Sequence, residues 1–406
     1  MAPDVDPEQA LPPEADVPSD LREKVAADFE RFADEGLPDP VEEYVKRTYG
    51  LDLRSDYGGL PVRNPFGKGA GQLSLNARQV RRDAESQLGF VALKSVVAQD
   101  EAGACLMQDW TETDPRMTVE PIVSAVSGKC GWTVTWRGRG WSGSLGDYVA
   151  LVREAVAAGR ELGTLVIPTC IYPFPPADDP DWRVEEYAYT TRELLRAWQD
   201  GGGQGPMPLE IDLSPTLAGA PRGRDRGAVE AWITTSPRLV YEAAGKDRPR
   251  LHLGVKVFNV LFDDEFQLRL LELLHAAPAA ERVKFFVYAN RLFDARREFR
   301  GTVGVAYGGP DLSDRNLRVL GRWAERGDML PCVGTGNVHS GKMAVQYLLR
   351  GCTSFAMHTL FQLPPEEFLM KRGTRTERAL HRLLFDPRDG FIVWMAHLGR
   401  GSIQAG

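Results

Sequence analysis

The chain has 406 residues, with 49 Lys and Arg against 56 Asp and Glu, and a formal net charge of -7. This length allows either two ordinary domains or one (β/α)8 barrel with extensions. The acidic balance argues against a nucleic-acid partner. No apolar run approaches the length of a membrane span, and the N-terminus is acidic and proline-rich where a signal peptide would be basic and then apolar. We therefore expect a soluble, cytoplasmic protein that binds neither nucleic acid nor membrane.

The five cysteines are scattered along the chain, at Cys105, Cys130, Cys170, Cys332 and Cys352. They form no C-x-x-C pair and no cluster with histidine. This pattern does not suit a zinc site, an iron–sulfur centre or a disulfide framework. The sequence therefore predicts no metal site.

Residues 1–60 precede the repeating part of the chain. The first 20 or so residues are predicted to be disordered because they are acidic and rich in proline. Asp20 can then cap a helix whose apolar residues recur at helical spacing, namely Leu21, Val25, Ala26, Phe29 and Phe32. We expect a disordered start and a helical extension over residues 1–60. A barrel with a C-terminal helical segment is expected over residues 61–406.

From Asn64 onward, predicted strands alternate with predicted helices. Eight apolar runs predict strands at 64–71, 90–97, 164–169, 209–214, 251–257, 283–290, 329–334 and 353–359. Amphipathic helices are predicted at 145–162, 229–244, 264–275 and 342–349. Apolar runs separated by helices are typical of parallel strands buried on both faces. Eight of them favour a closed (β/α)8 TIM barrel, and an open doubly wound sheet is the alternative.

A long insertion, residues 98–144, joins the second strand to its helix. Loops of this length inside a compact domain are usually functional. The insertion contains the strand-like sequence GWTVTW followed by RGRGW, which brings Trp136, Arg137 and Arg139 close together. Arginines beside indole rings suit a planar anionic or aromatic substrate through paired hydrogen bonds and stacking. The alternative is a solvated Arg-Gly loop whose tryptophans pack on the barrel.

Polar residues occur where the predicted strands end, and the C-terminal ends of barrel strands build the active site. Lys94 lies inside FVALKSVV and Lys256 inside LHLGVKVF. A lysine in a buried strand is costly unless an anion or a hydrogen-bond network takes its charge. Asp212 and Asn290 also end strands. Lysines whose charged ends reach solvent, and polar groups that merely satisfy the core, are the structural alternatives.

Glycine-rich turns follow the first strand and the last strands. Gly69 lies in the first of these turns, Gly308 and Gly309 follow the sixth strand, and Gly334 and Gly336 follow the seventh. Glycine lets a ligand approach the main chain closely, and a helix start that follows such a turn binds phosphate. The pattern predicts a phosphate site at the last two strands and a glycine-lined wall for a planar cofactor. Ordinary tight turns are the alternative.

These motifs together resemble the FMN-dependent dihydroorotate dehydrogenase family, the soluble type in particular. The resemblance covers residues 64–362 and follows the order of the family's motifs, which here read NPFGKGAG, LKSVV, VKV, YAN, GG, GTGN and HTLF. It implies an FMN cofactor and a TIM barrel. It also implies that the FMN site is lined by Gly69, Ala70, Lys94, Ser95, Lys256, Asn290, Gly308, Gly309, Gly334, Thr335, Gly336, His358 and Thr359.

The substrate site departs from the family pattern. The family's substrate loop, Asn-Ser-x-Gly-x-x-Asn, should lie near residues 134–141, where this chain reads VTWRGRGW. The family's Asn-x-Ser-Cys/Ser-Pro-Asn element reads DLSPTL, so Asp212 replaces its first asparagine and only Ser214 represents the catalytic Cys or Ser. The catalytic candidates are therefore Ser214, Asp212 and Lys94. The substrate-binding candidates are Trp136, Arg137 and Arg139.

The expected function is an FMN-dependent oxidation or reduction of a C–C bond in a small anionic or aromatic substrate other than dihydroorotate, in specialised metabolism. Two alternatives stand beside it. One is a phosphate-binding barrel with isomerase or lyase activity, and the other is a catalytically altered flavin-binding protein. The expected partner is a small-molecule substrate, and a homodimer is compatible with the sequence.

Overall fold

The computed structural model describes residues 11–111, 117–136, 140–175, 179–212, 225–279, 281–299, 301–327 and 329–403. Ser214, Arg137 and Arg139 lie outside these ranges. For Trp136 and Asn290 the structure describes the main chain and not the side chains. The strands in chain order are β1 (Ser55–Tyr57), β2 (Leu60–Val62), β3 (Phe66–Lys68), β4 (Phe90–Ala92), β5 (Val96–Val97), β6 (Met117–Val123), β7 (Cys130–Trp136), β8 (Leu165–Ile167), β9 (Thr169–Ile171), β10 (Met207–Asp212), β11 (Leu251–Phe258), β12 (Phe285–Asn290), β13 (Leu292–Phe299), β14 (Thr302–Tyr307), β15 (Cys332–Thr335) and β16 (Cys352–Met357).

The helices alternate with the strands over most of the chain. They are α1 (Ser19–Glu35), α2 (Val41–Tyr49), α3 (Ala77–Glu85), α4 (Leu145–Leu162), α5 (Val184–Asp200), α6 (Arg226–Ala244), α7 (Asp264–Ala276), α8 (Pro310–Ala324), α9 (Gly341–Leu348), α10 (Arg375–Phe385) and α11 (Phe391–His397). The four helices predicted from the sequence are confirmed. Helix α4 has the predicted bounds because Ser144 and Asp147 form a capping box at its start. No helix in the described part of the chain is long and apolar enough to cross a membrane.

Ten strand segments form one parallel sheet, in the order β5-β9-β10-β11-β12-β15-β16-β3-β4-β8. All eight predicted strands are present in it, and their apolar side chains are buried on both faces, as expected for parallel strands flanked by helices. The sheet curls, because β8 pairs with β4 whereas β9, which follows β8 after Pro168, pairs with β10. The result is a mixed α/β fold compatible with a TIM-like architecture.

The N-terminal segment packs against the C-terminal helices. The ring of Phe32 in α1 meets that of Phe385 in α10 at 5.0 Å. Two details correct the sequence prediction. The segment 11–18, predicted to be disordered, is packed, with Leu11 and Ala15 buried. Helix α1 begins at Ser19 without a side-chain cap, so Asp20 lies in the first turn instead of capping the helix.

Besides the hairpin β1–β2, which precedes β3, two antiparallel hairpins extend the barrel-like part of the fold. The first, β6–β7, lies in the predicted insertion and includes the predicted strand GWTVTW. The second, β13–β14, follows β12 and was not expected from the sequence. The hairpin β6–β7 is tied to the end of β14 because the Gly308 N–H donates to Thr133 Oγ1 at 2.9 Å. It is tied to the sheet end because the Trp141 N–H, after β7, donates to Ser95 O. Both hairpins therefore stand beside the C-terminal ends of the parallel strands.

Candidate functional site

One cavity of about 890 Å³ opens at the C-terminal ends of the parallel strands. The structure brings most of the predicted site residues to its wall, namely Gly69, Ala70, Lys94, Ser95, Asp212, Lys256, Gly308, Gly309, Thr335, Gly336, His358 and Thr359. Gly334 is not among the lining residues. A Cβ there would lie 2.8 Å from the Tyr347 ring, so this glycine lets Tyr347 pack behind the turn. Gly334 therefore has a packing role, and its predicted contact with a cofactor stays a prediction.

The floor of the cavity is a buried network of charges. Lys256 Nζ lies 3.4 Å from Glu210 Oε1 and 3.8 Å from Asp212 Oδ2. Tyr57, from the hairpin β1–β2, donates to Glu210 Oε2 at 2.8 Å. Asp212 and Lys256 meet because their strands, β10 and β11, are paired with these two residues in register. Sequence reasoning identified Lys256 and Asp212 but missed Glu210 and Tyr57.

The charges in this network stabilise one another. Burial alone would lower the pKa of Lys256, but the neighbouring carboxylates of Asp212 and Glu210 outweigh burial and raise it. Burial raises the pKa of Glu210, and Lys256 opposes that shift only in part. Lys256 is therefore a firmly protonated cation at neutral pH. The cation is 8% exposed, so it acts in a poorly solvated environment where charge has a long reach.

Ser95 and Thr169 fix the orientation of Asp212. Ser95 Oγ donates to Asp212 Oδ2 at 2.8 Å, and Thr169 Oγ1 lies 2.9 Å from Ser95 Oγ. Asp212 Oδ1 is buried and has no hydrogen-bond partner anywhere in the described part of the structure. Asp212 Oδ2 therefore accepts a hydrogen bond from Ser95, whereas Asp212 Oδ1 remains an acceptor without a donor among the described residues. Ser95, predicted from the family resemblance to bind a cofactor, thus contacts Asp212 directly.

His358 lies at the end of β16 and is neutral. Burial lowers its pKa well below the ordinary value, and the positive charges of Arg291, Lys68, Lys94 and Lys256 lower it further. A Cβ on Gly71 would lie 2.5 Å from His358 Nε2, so glycine at position 71 makes room for this ring. A neutral imidazole can accept or donate a hydrogen bond but adds no charge to the cavity.

The glycine turns differ in what they leave open. A Cβ on Gly308 would meet no heavy atom nearer than 3.8 Å, and one on Gly69 none nearer than 3.7 Å, so both positions on the cavity wall have room for a Cβ in ordinary contact. Gly336 has φ +103°, and its Cβ would lie 2.7 Å from Asn316 Nδ2. Valine at 336 would therefore disturb the backbone and the packing against Asn316, so this variant would combine a packing defect with any effect on the predicted phosphate site. Gly308 is the better position from which to probe the cavity.

Arg291 is a cavity residue that sequence reasoning missed. It follows β12 and donates to Ala306 O of β14 at 3.0 Å and to Val134 O of β7. It thereby joins the two hairpins on the cavity wall. Burial lowers the pKa of Arg291 to about 9, which leaves it protonated at neutral pH. The one signal in the sequence was its place directly after a strand end.

The upper wall of the cavity is largely aromatic and aliphatic. Trp110, Trp132 and Phe293 line it, with Leu312 from the start of α8 and Val338 from the turn before α9. Trp110 and Trp132 come from the insertion, and Phe293 comes from the hairpin β13–β14. The predicted tryptophan-bearing loop therefore does contribute to the cavity, although its members Trp136, Arg137 and Arg139 lie outside the described side chains. The cavity combines a charged floor with an apolar upper wall, the pattern of a small-molecule site.

No protein-family model matches this chain, and no curated protein is detectably similar to it. The function therefore rests on the chemistry of the site.

Replacing Tyr57 with phenylalanine is expected to lower the free energy of unfolding by about 1–3 kcal/mol, because Glu210 Oε2 loses its buried donor. Chemical denaturation followed by circular dichroism measures this change. Tyr241→Phe is a matched control, since that hydroxyl donates to the main-chain Arg282 O at a partly buried position. If Tyr57→Phe were no more costly than the control, the floor network would not depend on Tyr57.

Proposed function

We propose that the chain is an FMN-dependent oxidoreductase, similar to the dihydroorotate dehydrogenase family, that acts in the cytoplasm on a small anionic or aromatic substrate other than dihydroorotate. The observation that carries the proposal is the meeting of Lys94, Lys256 and the glycines Gly69 and Gly308 around one cavity at the strand ends. Two buried lysines and two glycine-lined approaches suit a planar, phosphorylated cofactor.

The fold that we propose for this function is a (β/α)8 barrel. Only Pro168 separates β8 from β9, so these segments count as one strand, and β4 and β5 count as another. With these two unions, the parallel pairings join eight strands in a ring that follows chain order and returns to β3. In such barrels active sites lie at the C-terminal ends of the strands, which is where this cavity opens.

The cavity fits FMN in size and in chemistry. Its volume of about 890 Å³ falls within the roughly 300–1,000 Å³ of small-molecule sites. Gly69 and Gly308 leave the main chain open to a flat ring. The turn at residues 335–337 and the start of α8 line the cavity beside the last strands, and main-chain N–H groups there would take the phosphate end. Lys256, which belongs to the charged network on the cavity floor, would lie beside the ring.

When bound, FMN would supply hydride transfer to or from a substrate carbon. Lys256 and Lys94 would hold positive charge beside the cofactor and stabilise negative charge that develops there. Trp132 and Phe293 would exclude water from the cavity. Ser214 is the candidate that would take or give a proton, while Asp212, whose Oδ2 is held by Ser95, would face the cofactor.

The absorbance spectrum of the purified protein, before and after addition of FMN, tests the proposal. We expect flavin bands at one FMN per chain. A protein that neither carries nor takes up FMN would contradict the proposal and favour the phosphate-binding isomerase or lyase. That enzyme would bind its phosphorylated substrate at the same turn and helix start without a flavin. Bound FMN that no small molecule reduces or reoxidises would favour a flavin-binding protein without turnover.

The variant Gly308→Val is expected to weaken FMN binding about tenfold to a hundredfold, because the added side chain enters the space that the ligand would fill and overpacking costs about 1–3 kcal/mol. Fluorescence titration with FMN measures the dissociation constant. Gly146→Val, at an exposed glycine of α4, is the matched control and should bind FMN like the wild type. Equal affinity in both variants would place the ligand elsewhere.

A further inference from the structure

Asp212 Oδ1, on the cavity floor, is a hydrogen-bond acceptor that no described residue satisfies. Asp212 is 6% exposed and lines the cavity, and within the described residues its Oδ1 has no hydrogen-bond partner. Its other oxygen accepts from Ser95. Buried polar atoms are nearly always satisfied by protein or by ordered water, so an acceptor left over beside a cavity is a place where a ligand donor can replace a water.

The neighbours of Asp212 narrow the chemistry of that ligand. Lys256 Nζ, a donor only, lies 3.8 Å from Asp212 Oδ2, and Lys94, also a donor only, lines the same cavity. Glu210 Oε1 also lies on the floor without a hydrogen bond from any described residue, but it is 3.4 Å from Lys256 Nζ, so Asp212 Oδ1 is the acceptor left beside two donors. A ligand that matches it carries an N–H between two carbonyl oxygens, which is the arrangement of a cyclic imide. The pyrimidine-like edge of the flavin ring, C4=O, N3–H and C2=O, has this arrangement.

We propose that Asp212 Oδ1 accepts a hydrogen bond from the N3–H of the flavin ring, with Lys256 directed at the adjacent carbonyl. The inference rests on the proposed FMN function and goes beyond it by assigning the orientation of the ring. A carboxylate can only accept here, whereas an amide at the same position could turn to donate. The Ser95 hydroxyl prevents the carboxylate from turning away, so Ser95 is a positioning residue and Asp212 is the contact.

The test compares FMN with its 3-methyl derivative, which lacks only the N3–H. Wild-type protein should bind 3-methyl-FMN about tenfold to a hundredfold more weakly than FMN, since a hydrogen bond to a charged group is lost. In Asp212→Ala the two ligands should bind with nearly equal affinity. Asp109→Ala, at an exposed carboxylate on the cavity wall, should keep the wild-type ratio.

A second measurement does not depend on the packing of the methyl group. Loss of the N3 proton changes the flavin spectrum, and a carboxylate beside N3 disfavours the anion that forms. The pKa of N3–H in FMN bound to wild-type protein should therefore be higher than in FMN bound to Asp212→Asn, whose side chain is neutral. A spectroscopic pH titration of both complexes measures the difference. An Asp212 with only a structural role would not move this pKa.

The outcomes distinguish failure of the proposed FMN function from failure of the assignment of Asp212. Failure of the wild-type protein to bind FMN would contradict the proposed function. FMN binding with equal affinity for 3-methyl-FMN, or with the same N3 pKa in wild type and Asp212→Asn, would overturn only the assignment of Asp212. Uridine 5′-phosphate presents the same imide edge on a smaller ring, and we expect it to bind at least about tenfold more weakly than FMN, because it buries less ring surface. Tighter binding than FMN would overturn the flavin as the source of the imide.

Discussion

Replacing Lys256 with methionine is expected to lower the free energy of unfolding by about 3–5 kcal/mol at pH 8. The variant leaves Glu210 and Asp212 buried in one network without the cation that lies 3.4 and 3.8 Å from their oxygens. Methionine keeps the volume of the side chain, so the loss reports charge and not a cavity. The same replacement should weaken FMN binding, because the charge beside the ring disappears.

The deficit should shrink as the pH falls. Burial already raises the pKa of Glu210 above its usual range, and removal of Lys256 takes away the group that opposes this shift. A carboxyl whose pKa is higher in the folded than in the unfolded state binds more protons when folded, so its folded form gains stability as pH drops. We therefore expect a smaller difference between variant and wild type at pH 5 than at pH 8.

Urea denaturation at the two pH values measures the effect. Adding Glu210→Gln to Lys256→Met should recover part of the lost stability, because one buried charge is then removed. Lys246→Met, at an exposed lysine, serves as the control for loss of a surface charge and should be close to wild type. A Lys256→Met protein as stable as the wild type at pH 8 would show that the carboxylates do not depend on this lysine.

The sequence context of the two buried lysines does not reveal that one of them also stabilises the fold. Lys94 and Lys256 stand out in the sequence by their apolar context, which indicates that an anion or a hydrogen-bond network takes their charge. The structure pairs Lys256 with Glu210 and Asp212. Glu210 gave no signal, because a single glutamate in the run PLEID does not reveal that Tyr57, 153 residues away, donates to it.

The parts of the fold that could be predicted are those set by local pattern. The parallel strands are continuous apolar runs, and α4 carries its own start signal in Ser144 and Asp147. The hairpin β13–β14 could not be predicted, because LFDARREF mixes charges into a strand without a clear period of two. Arg291 could not be identified for a different reason. Its role comes from hydrogen bonds to two carbonyls on different hairpins, which a local sequence pattern does not show.

Dihydroorotate is expected not to reduce the FMN-loaded protein. In the family that the sequence resembles, an asparagine at the position of Asp212 faces the pyrimidine substrate, whereas here the proposed flavin contact and Ser95 would engage both oxygens of Asp212 and leave no acceptor for a second imide N–H. Each buried ring N–H or C=O left without a partner costs about 1–3 kcal/mol, so a few mismatches lower affinity by orders of magnitude.

The chemical step adds a second barrier to the same reaction. The family's catalytic Cys or Ser is represented only by Ser214, and a misplaced base typically costs about a hundredfold to ten-thousandfold in rate. Anaerobic mixing of the yellow protein with dihydroorotate, followed at the flavin absorbance, measures the sum of both effects. Dithionite, which needs no binding site, should bleach the same sample and so show that the flavin can be reduced. Rapid bleaching by micromolar dihydroorotate would contradict the altered site, because a mismatched floor and a missing base could not support it together.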